Sequence, residues 1–367
     1  MGPVKTAAVI AEFNPLHDGH RYLIRRAREA GFGHIAVIMS GNFVQRGEPA
    51  VYPKAFRARK AIEAGADLVV SLPLPWAMSG TDSFARGGMQ LALAIGADAL
   101  VFGSESGDAD LLARAARLCR GTEFSLDGSE KMTYAKAFFE NAKLIDPEAA
   151  ELFCGRNDTL GAAYVAQLAE ACAARPEAVP LSGGRSAPVL HCPGSALGFV
   201  PVKRAEGFDG ATLIREKLFS GVLEPEAPVY DRSRLDLCVL ASLRGSSAEE
   251  LQKLPYAGGG IGTRLFSAAK TETTFDGVCL SAKSKNVTLA RVKRTAMRCF
   301  LGISRDYTVF PVPYCRVLDA NENGKELLRR VSLPVVFGYP GIKKLPAFAR
   351  EVYDLEMKAD SLYELLF

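Results

Sequence analysis

Two of the four histidines in this 367-residue chain stand in one tetrapeptide, His17-Asp18-Gly19-His20. Two imidazoles at this spacing can donate hydrogen bonds to phosphate oxygens and stabilise charge developing on a phosphoryl group. Gly19 between them lets the backbone pass close to a ligand. The run before them, AAVIAEF (7–13), is apolar and strand-like, and Asn14-Pro15 ends it, because proline stops a strand. The segment after them, RYLIRRAREAG, is patterned as a helix. Its first N–H groups and the positive end of its dipole therefore face whatever lies at the turn. Together these features make the geometry needed for attack on the α-phosphate of a nucleotide with release of pyrophosphate. The other reading of the histidines, a pair of surface cap residues, fits this context less well.

The remaining composition bounds the answer. At 39.4 kDa the chain is long enough for two domains. No apolar run approaches the length of a membrane span, and the start shows no apolar core followed by a cleavage site, so neither a membrane anchor nor an export signal is expected. The eight cysteines are scattered singly, and His34 and His191 offer no ligand cluster. We expect no protein-bound metal, no disulfide framework and a cytoplasmic location. Net charge is only +4, but its distribution is uneven. Between Asp276 and Asp306 there is no acidic residue, while Lys283, Lys285, Arg291, Lys293, Arg294, Arg298 and Arg305 all fall there.

Elements that position the histidines follow from the pattern of the first hundred residues. Apolar runs at 7–13, 34–39, 67–72 and 99–103 alternate with helix candidates around 20–30, 54–65 and 83–96, the last two ending at Gly65 and Gly96. This predicts an α/β fold with a Rossmann-like parallel sheet, which binds ligands beyond the carboxyl ends of its strands. Turn-forming or polar residues follow each run there, as at Asn14-Pro15, Ser40-Gly41-Asn42 and Gly103-Ser104-Glu105. Asn157 precedes an amphipathic helix and either caps it or recognises a base or ribose. Residues 182–210 read as loop, 210–218 as a helix, and the chain beyond as helices with PVVFGYP (334–340) as a strand candidate. We place a boundary near 220, giving a nucleotide-binding catalytic domain (1–219) and a mainly helical, basic domain (220–367). No Walker-type or dinucleotide glycine fingerprint follows a strand, and GGGIGTR (258–264) reads as a connector.

Several stretches now carry a family resemblance. FNPLHDGH is similar to the His-x-Gly-His signature of the nucleotidyltransferase superfamily. Together with MSGNFVQRGEPAVYPKAFRARKAIEAGADLVVSLP, FGSESGD, NDTLGAAYV, KNVTLARVKRTAMRCFLGI and PYCRVLDANENGKELL, it resembles the bacterial tRNA(Met) cytidine acetate ligase family over nearly the whole chain. The resemblance implies two steps: ATP and acetate form acetyl-adenylate and pyrophosphate, and the acetyl group then passes to N4 of the wobble cytidine of elongator tRNA(Met), releasing AMP. It also implies an ATP-binding stretch comprising Ile10, Ala11, Glu12, Phe13, Asn14, Pro15, Leu16, His17, Asp18, Gly19, His20, Arg21, Tyr22 and Leu23, with Gly103, Asn157 and Arg185 as further contacts. Thr212 and Arg215, in GATLIR, match a second phosphate motif whose usual serines are missing.

In this reading His17 and His20 are the catalytic donors and Arg215 holds phosphates through its fork. Arg46 is a closing cation or an RNA contact, and magnesium is expected with ATP. Ordinary core packing is the role expected of Phe13, Phe43 and Trp76, with walls of the small acetate pocket as the alternative. In the basic segment, Leu289, Val292, Ala296 and Phe300 form one helical stripe, and Arg291, Arg294 and Arg298 share another face. With Lys283 and Lys285 they form the expected tRNA surface, Thr288 and Gly302 capping the helix. No obligate protein partner is evident. Two rivals stay open: a small-molecule adenylyltransferase, against which the basic extension argues, and a non-catalytic RNA-binding protein, against which the histidines argue.

Overall fold

The computed structural model describes residues 4–121, 134–172, 177–179, 189–191, 197–205 and 207–367. The first half alternates strand and helix: β1 (Thr6–Ala11), α1 (Asp18–Glu29), β2 (His34–Ser40), a short hairpin of β3 (Phe43–Val44) and β4 (Glu48–Pro49), α2 (Lys54–Glu63), β5 (Leu68–Leu72), α3 (Leu74–Ala77), α4 (Thr81–Ile95) and β6 (Ala99–Ser104). Glycines set the sharp exits, Gly65 at φ +108° after α2 and Gly96 at φ +73° as the α4 cap, both backbone states that disfavour a side chain. Helices α5 (Ala109–Gly121), α6 (Tyr134–Ile145), α7 (Pro147–Glu151) and α8 (Arg156–Cys172) follow, then β7 (Glu177–Val179), β8 (Val189–His191) and β9 (Gly198–Lys203).

Among the described residues the main sheet has nine strands. Its centre, β5-β2-β1-β6-β9, is parallel, and β8 and β7 extend it antiparallel beyond β9. Alternate residues serve opposite faces, as the pleat requires. Val9, Val37, Val69 and Val101 pack with Leu23, Ile24, Ala58 and Ala61 of α1 and α2. Ile10, Ile38, Val70 and Leu100 belong to the larger core on the other face, with α4, α5 and α8. Strand β9 lies inside the segment expected to be loop, where Pro201 interrupts its sequence signal. Among the described residues β8 pairs with Gly198 and Phe199 and not with Pro201, a position a proline tolerates.

The second half begins with α9 (Ala211–Phe219), then a helical cluster of α10 (Arg232–Gly245), α11 (Ala248–Lys253), α12 (Ile261–Ala269), α13 (Phe275–Ala282) and α14 (Leu289–Leu301). The 258–264 glycine run is a turn into α12, with Gly259 and Gly260 both at φ +73°. Beyond it, β10 (Cys315–Ala320) pairs antiparallel with β5 and β11 (Val335–Val336) pairs with β10. The chain past residue 220 is therefore mainly helical, but it returns to complete the same sheet. The final helices are α15 (Glu322–Leu328), α16 (Tyr339–Ile342) and α17 (Ala347–Glu364). From α17, Asp360 pairs with Lys54 and accepts from Asn42 Nδ2 at 2.9 Å, and Tyr363 Oη donates to the Ala50 carbonyl at 2.8 Å. Among the described residues no helix is long and apolar enough to cross a membrane.

Candidate functional site

Strand order reverses between β1 and β6, and a cleft of about 630 Å³ opens beyond their carboxyl ends. That is where an open parallel sheet leaves room for a ligand. Of the expected stretch, Ile10 to Asn14, His17, Gly19, His20, Tyr22 and Leu23 line it, as do Gly103, Asn157, Thr212 and Arg215. Pro15, Leu16, Asp18 and Arg21 are not in its walls, and Asp18 and Arg21 pair on the surface of α1 at 3.8 Å. Arg185 lies outside the described residues.

The two histidines cap α1 and do so with one nitrogen each. His17 Nδ1 accepts from Gly19 N at 3.1 Å, and His20 Nδ1 accepts from His17 N at 3.3 Å. The rings stack with centroids 3.8 Å apart, and the Phe13 edge meets His20 at 4.8 Å. Burial, joined by the Arg204 guanidinium and partly offset by Asp18, lowers the His17 pKa. Burial, joined by His17 and Arg204, puts His20 well below the ordinary value of 6.5. Both rings are thus neutral near pH 7, and with Nδ1 accepting, the proton sits on Nε2. The cap converts two imidazoles into two fixed N–H donors. Gly19 is required by the stack, since a Cβ there would stand 2.9 Å from His17 Cε1.

Behind β1, the buried Arg57 gathers the strand ends. Its guanidinium donates to the carbonyls of Tyr52 (2.9 Å), Glu12 (2.6 Å), Ser40 (3.1 Å) and Gly41. Burial lowers its pKa to about 10, so it remains charged. Asn14 Oδ1 accepts from Val51 N at 2.7 Å, and the Asn14 carbonyl accepts from Arg215 Nη1 at 2.6 Å. Glu12 Oε1 accepts from Gln45 N at 2.8 Å. Burial raises the Glu12 pKa, against the pull of Arg46.

The opposite wall is the turn after β6. Asp158, buried in the first turn of α8, accepts from Ser104 Oγ, Glu105 N (3.0 Å) and Ser106 N (2.9 Å). Glu105 answers in the other direction, accepting from Asn157 Nδ2 (2.6 Å) and Asp158 N (2.8 Å). Asn157 is therefore inside the helix and does not cap it. Beside Gly103 there is open space, with the nearest atom to a Cβ being Arg204 Cγ at 3.8 Å. Arg46 Nη1 meets Thr212 Oγ1 at 3.4 Å across the cleft rim, and Arg215 also pairs with Glu48 at 3.6 Å.

One alternative falls away and one expectation is corrected. Phe43 and Trp76 are fully buried in the core and line no part of the cleft: Phe43 packs on Phe300 and Tyr363, and Trp76 lies against Gly87. Phe13 alone of the three faces it. The arginines of α14 do not form a solvated face either. Arg298 is fully buried, donating to the Met78 carbonyl at 3.2 Å with its guanidinium 4.6 Å from the Tyr256 ring centre. Arg294 donates to the Gln45 carbonyl at 2.9 Å, and Arg291 to those of Tyr256 (3.0 Å) and Gly258 (3.1 Å). Arg294 thus ties the helical cluster to the cleft loop, Arg298 ties it to the turn after α3, and Arg291 braces the cluster internally, whereas Lys283 and Lys285 are exposed. Thr288 and Gly302 do cap the helix. The sequence reading missed Arg57, Asp158 and Arg204, and had Glu105 only as a polar residue at a strand end. Arg204 follows the unrecognised β9, and a buried arginine in a helix carries no pattern of its own.

This sheet, cleft and histidine pair define a nucleotide-binding transferase fold, and the HIGH Nucleotidyl Transferase family model matches residues 4–177 and 214–367, so the chain belongs to that family. The particular branch is that of the tRNA(Met) cytidine acetate ligases. The chain is 30% identical to the tRNA(Met) cytidine acetate ligase of Pediococcus pentosaceus over 376 residues, covering 99% of this chain and 95% of that one. It is 28% identical to the protein of the same name from Listeria monocytogenes strain EGD-e, over 98% and 96% of the two chains. The crystal structure of Thermotoga maritima TmcAL bound with alpha-thio ATP matches at TM-score 0.85 and 25% identity, covering 99% and 95%.

Proposed function

We propose that this chain is an ATP-dependent tRNA(Met) cytidine acetate ligase, which activates acetate as acetyl-adenylate and transfers the acetyl group to N4 of the wobble cytidine of elongator tRNA(Met). The observation that carries the reading is the His17–His20 pair: two neutral imidazoles, each fixed by a backbone N–H on Nδ1, present Nε2–H donors at the sheet edge. Attack of an acetate oxygen on the α-phosphorus builds charge on the phosphoryl oxygens. Fixed donors stabilise that charge without reorganising. No covalent bond to the protein is needed, so positioning carries the rest.

ATP is assigned to the cleft with its adenosine against Gly103 and its phosphates toward α1, Thr212 and Arg215. Magnesium is read as arriving on the triphosphate. The cleft carboxylates Glu12 and Glu105 are already engaged by N–H groups, and among the described residues no three His, Cys, Asp or Glu side chains gather to hold an ion. For tRNA, the exposed Lys283 and Lys285 remain the proposed phosphate contacts.

Purified protein with ATP and acetate should release pyrophosphate and form an acyl species that hydroxylamine traps. Adding elongator tRNA(Met) should give N4-acetylcytidine by nucleoside mass spectrometry. Pyrophosphate release with another small acceptor, and none with acetate, would establish an adenylyltransferase instead. RNA binding without ATP consumption would establish a non-catalytic protein.

A further inference from the structure

We propose that Glu12 is the proton acceptor of the acyl-transfer step, taking the proton that leaves cytidine N4 as the amine attacks the acetyl carbon. This inference rests on the acetate–tRNA ligase reading above.

The two steps differ in what they ask of a base. In the first, acetate attacks as a carboxylate, the α-phosphorus–oxygen bond to pyrophosphate breaks, and no proton moves from the nucleophile. In the second, the N4–carbonyl bond forms, the bond from that carbon to the phosphate oxygen breaks, and AMP leaves. The nitrogen must then lose one proton to end as a neutral amide. A base therefore serves the second step alone.

The cleft walls offer few groups that can take this proton. His17 and His20 use their Nδ1 lone pairs on backbone N–H groups and present only donors. Glu105 is engaged on both oxygens, Oε1 by Asn157 and Oε2 by Asp158 N. Among the carboxylates and imidazoles of the described cleft lining that leaves Glu12. Its Oε1 accepts from Gln45 N at 2.8 Å, its backbone carbonyl is held by Arg57 Nη1 at 2.6 Å, and Oε2 accepts from no described residue while the half-buried side chain lines the cleft. The residue is thus held at its backbone carbonyl and at Oε1, with Oε2 open. It stands directly after β1, between the histidine pair and the Gln45-Arg46 wall.

Its surroundings tune it for this task. Burial raises the Glu12 pKa and so strengthens the base. Arg46 on the loop, Arg215 on α9 and Arg57 on α2 favour the ionised form, and Glu48 opposes it. The buried Tyr164 hydroxyl of α8 feels the Glu12 charge, and the neutral histidines, Glu105, Arg156, Lys203 and Arg204 line the same cleft.

The test is Glu12→Gln in the full-length protein, because the amide oxygen can still accept from Gln45 N. Acetate-dependent ATP–pyrophosphate exchange reads the first step. Single-turnover transfer from enzyme loaded with acetyl-adenylate to elongator tRNA(Met) reads the second, across pH. Transfer should fall by about 10²–10⁴-fold, at least tenfold more than exchange. The parent's transfer rate should rise with pH through the Glu12 ionisation, and that limb should vanish in the Gln variant and return in Glu12→Asp. Equal losses in both steps would overturn the proposal, making Glu12 a nucleotide-positioning residue, and so would transfer at the parent rate. A parent protein that exchanges pyrophosphate with acetate yet never acetylates tRNA would overturn the ligase reading itself, whatever the variants do.

Discussion

Replacing His17 by Asn separates the cap that the structure shows from the catalytic donation proposed for this residue. As the α1 cap, His17 accepts one backbone hydrogen bond through Nδ1, at 3.1 Å from Gly19 N. As a catalytic donor it uses Nε2, on the far side of the ring. An asparagine amide reaches the position of Nδ1 and is a preferred cap, but it ends short of Nε2. His17→Ala loses both duties. Loss of the cap costs about 1 kcal/mol, which in a chain this long moves Tm by only about 1–2 °C. Loss of a preorganised donor costs about 2.7–4 kcal/mol, or roughly 10²–10³-fold in rate. Both variants should therefore slow acetate-dependent pyrophosphate exchange by a similar large factor, at saturating ATP and neutral pH, while only the alanine variant melts lower. If His17→Asn exchanged at the parent rate while His17→Ala was slow, the histidine would be a cap and nothing more.

Three further outcomes are expected. Gly103→Val should weaken ATP binding in calorimetry without lowering Tm, because a Cβ there meets nothing closer than 3.8 Å and fills only space assigned to adenosine; unchanged affinity would move the nucleotide elsewhere. Both cleft histidines have pKa values lowered from 6.5, so the pair should stay neutral and exchange should persist as pH falls through that value, with its acid limb below it. The unfolded chain takes up those protons first, so stability should decline over the same interval, and a limb centred at or above 6.5 would contradict the assignment. Arg298→Glu should destabilise the fold by about 3–5 kcal/mol, because it leaves a buried carboxylate facing the Met78 carbonyl with no cation to pair it, whereas Lys283→Glu with Lys285→Glu should leave Tm unchanged. The lysine pair should instead weaken tRNA binding and flatten its salt dependence, which filter binding at two salt concentrations would check.

The nucleotide half of the fold was legible because its signals are local. Strands at 34–40 and 68–72, the α4 exit at Gly96 and the His-x-Gly-His turn each combine apolar periodicity with a stop residue. The misses share a cause, which is that their meaning depends on distant partners. Strand β10 reads as unremarkable sequence until it finds β5, and β9 carries a proline at a position with which, among the described residues, β8 does not pair. The α14 arginines look like a solvated stripe because charge usually faces water, yet they find carbonyls at Gln45, Met78, Tyr256 and Gly258. Arg57 and Asp158 likewise acquire their roles only when several strand ends and turns converge.

The late return of β10 to β5 also governs how this protein comes off the ribosome. Val70 and its neighbours are synthesised early, but the strand that covers their free edge lies beyond residue 314. Until most of the chain has emerged, the nascent sheet ends in an apolar strand with unpaired backbone groups, the arrangement most prone to pair with another chain. A stalled or truncated product ending before Cys315 would keep that edge of β5 open. Helix α17 then adds the final restraint, since Asp360 and Tyr363 reach back to Lys54 and Ala50 and lock the loops beside the cleft. The adenylating half thus completes its sheet and braces its loops only when the last fifty residues have been made.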